Sequence, residues 1–258
     1  MNKYHRYWIA FYTIIEKEIL RFVRIWIQTI LPAAVTTALY FIIFGTLIGN
    51  RIGEMDGHNY IDFIVPGLIL MAVITNSYSN VVSSFFSSKM QRHIEELLIS
   101  PVPNWIIIVG YVGGGVARGI MVGIAVTLVA LLFTDLVIHS YSVTFAVVIY
   151  TSILFSLAGL INAVFAKTFD DISIVPTFVL TPLTYLGGVF YSIKMLPEFW
   201  QQLSLVNPIL YMVNAFRYGL LGSSDIPIGT ALVIILLFIM VLGAVCHYLL
   251  ARGVGIKD

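Results

Sequence analysis

Six long apolar runs constrain this chain more than any other feature of its sequence. A helix needs about 20 apolar residues to cross the roughly 30 Å hydrocarbon core of a bilayer. The runs are continuous, whereas the strands of a membrane barrel alternate in hydrophobicity over about ten residues. We therefore predict an all-α, polytopic membrane protein whose spans are Ile27–Ile48, Ile61–Phe86, Trp105–Phe133, Val143–Ala166, Ile172–Tyr191 and Gly229–Leu250.

The composition excludes a soluble globular domain. Charged residues make up 10% of the chain and hydrophobic residues 59%, whereas soluble domains carry roughly 25% charged residues. So few charges cannot cover a surface that faces water. The formal net charge of +1 gives no basic field for nucleic acid, and we predict no nucleic-acid partner.

The distribution of lysine and arginine predicts the orientation. By the positive-inside rule, the connections that are richer in these residues lie in the cytoplasm. The poorer side carries only Arg51, Lys194 and Arg217. Both termini are therefore predicted to be cytoplasmic, together with the basic residues Lys3, Arg6, Lys17, Arg21, Arg24, Lys89, Arg92, Lys167, Arg252 and Lys257.

The stretch Leu203–Leu221 is apolar but is not counted as a seventh span. Pro208 breaks a helix unless it opens one, and a charge such as that of Arg217 is costly inside lipid. A seventh span would also place the two termini on opposite sides of the membrane. We predict a re-entrant or interfacial segment here.

Residues 1–26 have the three-and-four spacing of an amphipathic helix. We predict an interfacial helix on the inner leaflet, with its basic face toward lipid phosphates. A plain extension of the first span is the alternative. The transmembrane domain then covers residues 27–250, and a cytoplasmic tail covers 251–258. The apolar positions of the helix are Trp8, Tyr12, Ile15, Ile19, Phe22 and Trp26.

A second amphipathic segment, Ser87–Ser100, connects the second and third spans and ends before Pro101. The charged face contains Lys89, Arg92, Glu95 and Glu96. Such a helix either rests on the membrane or docks into a groove of a cytoplasmic partner, and the residues alone favour neither. The apolar stripe contains Met90, Ile94, Leu97 and Leu98.

Enzymatic motifs are missing from the sequence. The cluster Gly113–Gly115 lacks the Gly-Lys-Ser/Thr ending of a phosphate loop. Neither a His-Glu-x-x-His zinc motif nor a Gly-x-Ser-x-Gly nucleophile elbow occurs. We predict no catalytic residue, no cofactor and no metal site, and we expect that the chain does not hydrolyse ATP itself.

The third span combines small residues with a charge. Gly115, Gly119 and Gly123 recur at intervals of four, which lets two membrane helices approach closely. Arg118 must face protein, a water-filled cavity or the interface, so it is either structural or a pathway or gating residue. Arg217 is a second candidate of this kind.

Acidic residues are absent from the middle of the six predicted spans. Asp170 and Asp171 open the fifth span, where capping explains them. Carriers driven by protons bury carboxylates within their spans. This absence weighs against a proton-driven carrier.

Together, a series of short motifs resembles the membrane subunit of type-2 ABC transporters. The resemblance covers nearly the whole chain and keeps the order of the motifs. The matching stretches are Phe63–Leu70, Arg92–Pro103, Lys167–Pro176, Thr181–Tyr191, Leu196–Pro197, Asn207–Tyr211 and Phe216–Gly219.

The resemblance implies an exporter of the bacterial inner membrane that works as a homodimer. Each copy would pair with a separate cytoplasmic ATPase, which binds ATP and Mg. The stretch Met195–Leu221 would form external re-entrant helices, and the N-terminal helix would match the interfacial helix of the family. The segment that couples to the ATPase would contain Arg92, Ile94, Glu95, Glu96, Leu97 and Leu98.

The transported substrate is not readable from the sequence. Many aromatic and few charged side chains in the first, second and fifth spans favour an amphiphile, a drug-like molecule or a lipid-linked molecule over a bare ion. An ATP-independent secondary carrier and a membrane anchor for a cytoplasmic complex remain as alternatives. The aromatic residues of these spans include Tyr40, Phe41, Phe44, Phe178, Tyr185 and Phe190.

Overall fold

The computed structural model describes residues 2–255, without side-chain detail for residues 46 and 50. Met1 and the tail residues 256–258, with Lys257 among them, lie outside the described residues. The described chain is almost entirely helical. Its α-helices are α1 (Lys3–Arg24), α2 (Trp26–Thr29), α3 (Leu31–Tyr40), α4 (Gly49–Ile52), α5 (Tyr60–Met90), α6 (His93–Ile99), α7 (Asn104–Ala130), α8 (Tyr141–Phe165), α9 (Asp171–Val175), α10 (Thr181–Leu186), α11 (Glu198–Ser204), α12 (Pro208–Leu221) and α13 (Ile228–Arg252).

Most of the predicted spans appear as long apolar helices. In the described part of the chain, five stretches are long and apolar enough to cross a membrane, and Asp171–Leu186 is a shorter apolar helix. The prediction of an all-α, polytopic membrane protein is therefore confirmed. The five stretches are Trp26–Gly45, Tyr60–Met90, Asn104–Ala130, Tyr141–Phe165 and Ile228–Arg252.

The fifth span is shorter than the sequence predicts. It consists of α9, a π-helical stretch Pro176–Leu180, and α10. It ends at Leu186 rather than Tyr191, because Gly188 has a left-handed φ of 74° that turns the chain away. At 1.5 Å per residue the helix is about 24 Å long, less than the hydrocarbon core.

The first span is irregular and leads into a β-hairpin. Pro32 lies in the first turn of α3, where its missing N–H is not needed, and a π-helical stretch Phe41–Ile48 precedes α4. The strands β1 (Glu54–Met55) and β2 (His58–Asn59) then pair antiparallel. An Asp56-Gly57 turn with φ of 49° and 79° joins them, as in tight hairpins. We call this side of the molecule the hairpin end, and the opposite side the α6 end.

The helix α5 forms the centre of the fold. It packs against α7, α8 and α12, and Phe63, Leu70, Tyr78 and Phe85 along its length are fully buried. Close approach to α8 requires a glycine, because a Cβ at Gly159 would lie 2.6 Å from the Tyr78 carbonyl oxygen. The bundle therefore has its core around α5, with α13 packed outside against α8.

The N-terminal helix α1 runs alongside α7 in the same direction. The ring centroids of Tyr7 and Trp105 are 6.5 Å apart. Two and three turns farther along α1, Ile14 contacts Gly110 and Glu18 contacts Gly114. The buried face of α1 consists of Ile14, Glu18 and Phe22. The placement of residues 1–26 on the membrane surface stays a prediction.

Candidate functional site

The helix α6 is set at an angle to the central helix by one strained residue. Arg92 adopts a left-handed conformation, with φ of 61° and ψ of 6°, which is uncommon for a residue other than glycine. The chain turns at Arg92, between the end of α5 at Met90 and the start of α6 at His93. The helix α6 therefore does not continue the long helix α5. Pro101 and Pro103 then prevent α6 from continuing into α7.

The side chains of α6 divide into an anchor and an exposed surface. Ile94 is 1% exposed and belongs to the hydrophobic core, so it packs within its own subunit. Leu97 and Leu98 are half-buried, whereas Arg92, Glu95 and Glu96 are exposed. Of the six residues predicted to couple to an ATPase, five therefore keep an accessible side chain.

Two exposed apolar residues flank α6. Met90 is 54% exposed and Ile99 is 84% exposed. The sequence predicted that Met90 and Ile94 lie on one apolar stripe. In the structure they belong to different helices, α5 and α6, because the left-handed Arg92 between them interrupts the helix. Ile99 was missed because it lies one residue beyond the apolar stripe, and we add it to the candidate docking surface.

A cavity of about 510 Å³ lies beside α6 and is lined by Lys89, Arg92, Glu95 and Lys167 among others. Lys89 Nζ donates to the carbonyl oxygens of Val164 at 2.6 Å and Ala166 at 2.8 Å. These bonds tie the end of α5 to the end of α8. The cavity therefore connects α6 with the turn that enters the fifth span.

That turn is closed by an aspartate at the start of α9. Asp171 Oδ2 accepts from the backbone amides of Lys167 at 2.8 Å and Thr168 at 2.9 Å. The Thr168 hydroxyl accepts from the Asp171 amide in return. Asp170, by contrast, makes no side-chain cap bond. Of the two aspartates predicted to cap this helix, only Asp171 holds the turn.

Arg118 lies near the middle of the bundle. Its Nη2 donates to Asn76 Oδ1 on α5 at 2.9 Å, and its Nε has no hydrogen-bond acceptor. Arg118 lies 14 residues from the start of α7 and Asn76 lies 14 residues from the end of α5, so both are about 21 Å from the α6 end along their helices.

Arg217 lies on α12 at the hairpin end, within the segment that the sequence predicts to be re-entrant or interfacial. Pro208 opens α12, and the Asn207 side chain caps it by accepting from the Ile209 amide at 3.0 Å. Arg217 is 2% exposed. Its Nη2 donates to the Gly188 carbonyl oxygen at 2.7 Å, and its guanidinium lies 3.9 Å from the centroid of the Phe63 ring.

Arg217 also lines a polar cavity of about 280 Å³ that contains charges of both signs. Asp56 and Asp225 face it, and Asp225 accepts from Lys194 Nζ at 2.8 Å. This hydrogen bond and the Asp225 charge raise the pKa of Lys194. The structure does not bring Arg118 and Arg217 together, because they lie on different helices at different depths.

The glycines of α7 lie at its closest helix contacts. A Cβ at Gly115 would collide with Ser156 Oγ, and one at Gly119 would collide with Ser77 Oγ. A Cβ at Gly123 would lie 3.1 Å from Val73 Cγ2. The α7 backbone therefore approaches α5 and α8 along this row.

Four aromatic rings cluster near the hairpin end, between the first and fifth spans. Phe190 lies 4.8 Å from Phe44, 5.7 Å from Tyr40 and 5.8 Å from Tyr185, measured between ring centroids. All four belong to the aromatic set that the sequence analysis singled out. Phe178, from the same set, is 74% exposed instead.

A buried polar cluster near α1 was missed by the sequence analysis. Glu18 is fully buried and accepts from the Ser84 hydroxyl at 2.5 Å. Arg21 donates to the Asn80 carbonyl and side-chain oxygens, each at 2.8 Å. The available signal was the spacing of Ile14, Glu18 and Phe22, which places the carboxylate on an apolar face.

The described residues contain no group of three or more His, Cys, Asp or Glu side chains that could hold a metal ion. Apart from the short hairpin, the described chain consists of helices and connecting loops.

Residues 9–221 match the family described as ABC-2 type transporter. The chain is 59% identical to the inner membrane transport permease YadH of Escherichia coli strain K12, over 98% of this chain and 99% of that one. It is 23% identical to nodulation protein J of Rhizobium meliloti strain 1021, over 93% of this chain and 87% of that one.

These similarities confirm the predicted resemblance and the predicted location in the inner membrane. A permease of this kind implies an ATPase partner, and the chain is not itself the ATPase. The chain belongs to the ABC-2 type transporter membrane family, as a transport permease subunit.

Proposed function

We propose that two copies of this chain form the translocation path of an ATP-driven exporter and that each copy binds a separate ATPase at α6. The exposed surface of α6 carries the proposal. Ile94 fixes the helix to the subunit core, and the accessible Arg92, Glu95 and Glu96 remain available to a partner. The coupling residues are then Arg92, Glu95, Glu96, Leu97 and Leu98, with Ile94 as the anchor.

Movement of the ATPase would reach the spans through α6 and the neighbouring turn. Lys89 links α5 to the end of α8, and Asp171 closes the turn before α9. Displacement of α6 would therefore move both the central helix α5 and the start of the fifth span. ATP drives transport only if its binding favours one arrangement of the spans over another.

Pairing of two copies is supported by the exposed faces of the first and fifth spans. On the first span Val35, Leu39 and Leu47 are 50%, 53% and 65% exposed, and Phe178 on the fifth span is 74% exposed. The fifth span is also shorter than the hydrocarbon core, so cover by protein suits it better than lipid. We propose that these faces meet in the homodimer and that both termini lie in the cytoplasm.

The proposed substrate is an amphiphile, a drug-like molecule or a lipid-linked molecule. An apolar groove of about 220 Å³ between the first and second spans is lined by Tyr40, Leu68, Met71 and Thr75 among others. The aromatic cluster shares Tyr40 with this groove and continues from it toward the hairpin end. A lining of methyl groups, rings and a few hydroxyls suits a largely apolar ligand.

The test is a charge reversal on α6. Glu96→Lys with Leu97→Asp changes one exposed and one half-buried side chain, so we expect normal insertion and loss of the bound ATPase. Both quantities are measured by purifying the tagged chain and determining the bound ATPase relative to it.

A matched control is Glu198→Lys in α11, an exposed acidic residue at the hairpin end. It should leave the ATPase bound. Normal recovery of the ATPase with the α6 double variant would refute docking at α6.

A further inference from the structure

Three charged side chains lie together inside the bundle, and their charges do not balance. Glu18 and Arg21 on α1 form an ion pair of 3.5 Å. Arg21 donates to Asn80 and Arg118 on α7 donates to Asn76, one turn away on α5, so the two like charges act on each other. The group therefore holds two cations and one anion.

The two arginines differ in how well they are satisfied. Arg21 donates to Asn80 and Ser83 in addition to its ion pair with Glu18. Among the described residues, Arg118 donates only to the neutral Asn76 side chain. In the part of the chain that the structure describes, no carboxylate forms an ion pair with Arg118. The surplus positive charge therefore rests at Arg118.

Arg217 shows how the same fold compensates a buried arginine. A carbonyl oxygen and an aromatic ring contact its guanidinium directly. Two carboxylates, those of Asp56 and Asp225, face the same cavity. Arg118 has none of these compensations, although an unpaired cation at membrane depth is costly. Its guanidinium still has several N–H donors for an anion.

The position of Arg118 suits a ligand that enters from the membrane. Arg118 is half-buried, so a ligand can reach it. Its partner Asn76 belongs to the same helical turn as Ala72 and Thr75, which line the apolar groove.

Two further cations lie between Arg118 and the α6 end. Arg21 lies at the level of Asn80, and Lys17 donates to Ser88 at 3.4 Å. Cations thus line one side of α5 from its end to its middle.

We propose that Arg118, supported by Arg21 and Asn76, binds the anionic head group of an amphiphile, a phosphate or a carboxylate. This inference rests on the proposed function, and it narrows the substrate class to amphiphiles that carry negative charge. The head group completes the charge balance at Arg118, and the apolar part of the ligand occupies the groove.

The test measures ligand affinity of the purified full-length protein in neutral detergent. The probes are dioctanoyl phosphatidic acid, dioctanoyl phosphatidylcholine, which has no net charge, and inorganic phosphate. We expect phosphatidic acid to bind and to raise the midpoint of thermal unfolding, and phosphatidylcholine to bind at least about tenfold more weakly, by loss of a charge-assisted interaction.

Two variants and one control locate the site. Arg118→Gln removes the charge, and Asn76→Asp supplies an internal counter-ion while keeping the arginine and the shape of the side chain. Each should weaken binding of phosphatidic acid about tenfold or more. Arg24→Gln removes an exposed cation from the same helix as Arg21 and should bind as the unaltered protein does. If Arg118→Gln fails to fold, Asn76→Asp decides the test.

The outcomes separate the two sources of the anion. Binding of phosphatidic acid alone, lost in both variants, supports a lipid-like ligand. Binding of inorganic phosphate that is lost in the same variants supports the site with a free anion as its ligand. Equal affinity in all four proteins, or equal affinity for phosphatidylcholine, would overturn the proposal. The amount of ATPase recovered in the same preparations tests the proposed function separately. The affinity measurements do not require the ATPase, so they can be interpreted even when no ATPase is bound.

Discussion

The Ser84 hydroxyl on α5 donates to Glu18 Oε1 on α1 at 2.5 Å. The bond joins the N-terminal helix to the centre of the bundle through a fully buried carboxylate. Gly114 makes this approach possible, because any larger residue would meet the Glu18 side chain. The N-terminal helix is therefore fixed to the transmembrane domain by a polar contact as well as by Ile14 and Phe22.

Glu18→Ala should destabilise the protein by about 1–3 kcal/mol, because it removes the acceptor of the buried Ser84 hydroxyl and the ion-pair partner of Arg21. Thermal unfolding in detergent measures the change. Glu16→Ala, at an exposed position two residues away, is the control and should have little effect. Equal changes in the two variants would contradict the role of Glu18.

Gly119→Ala and Gly243→Ala should have opposite effects. A Cβ at Gly119 collides with Ser77 Oγ, so the substitution overpacks the bundle and costs about 1–3 kcal/mol. A Cβ at Gly243 meets nothing within 4 Å, and alanine there favours the helix by roughly 0.5–1 kcal/mol. The free energy of unfolding of both variants is the measurement. An unchanged free energy for Gly119→Ala would contradict the prediction and would show that α7 can move away from α5.

The sequence predicted features that depend on local composition and missed those that depend on tertiary contacts. Most of the spans could be located, because the hydrophobicity of a run of about 20 residues depends on composition alone. That Pro208 either breaks or opens a helix followed from its missing N–H. The separation of Met90 from the apolar stripe of α6 could not be predicted, because it depends on the left-handed backbone of Arg92. The burial of Glu18 depends on α7, which lies about a hundred residues away.

Ile94 and Ile99 should respond differently to the same substitution. Ile94→Asp places a charge in the core and should lower the unfolding midpoint sharply, because Ile94 is 1% exposed. Ile99→Asp should leave the midpoint nearly unchanged, because Ile99 is 84% exposed, and should reduce the bound ATPase. Thermal unfolding and recovery of the ATPase measure the two effects. Full ATPase recovery with Ile99→Asp would remove that residue from the docking surface.

The Lys194–Asp225 pair should make stability depend on pH in the alkaline range. Asp225 raises the pKa of Lys194 above its ordinary value of 10.5. The pair therefore contributes fully below about 10.5, and its contribution is lost as pH rises through the higher folded-state pKa. The difference in unfolding midpoint between the unaltered protein and Lys194→Gln should be constant from neutral pH to about 10 and shrink at higher pH. A difference that grows with pH would contradict the assignment.

The most direct test of the central claim is gentle purification of the tagged chain from its native membrane, followed by mass spectrometry of what remains bound. We predict a nucleotide-binding ATPase subunit in near-equimolar amount, lost when α6 carries Glu96→Lys with Leu97→Asp. A folded, dimeric chain that retains no ATPase would contradict ATP-driven transport and would favour an ATP-independent carrier.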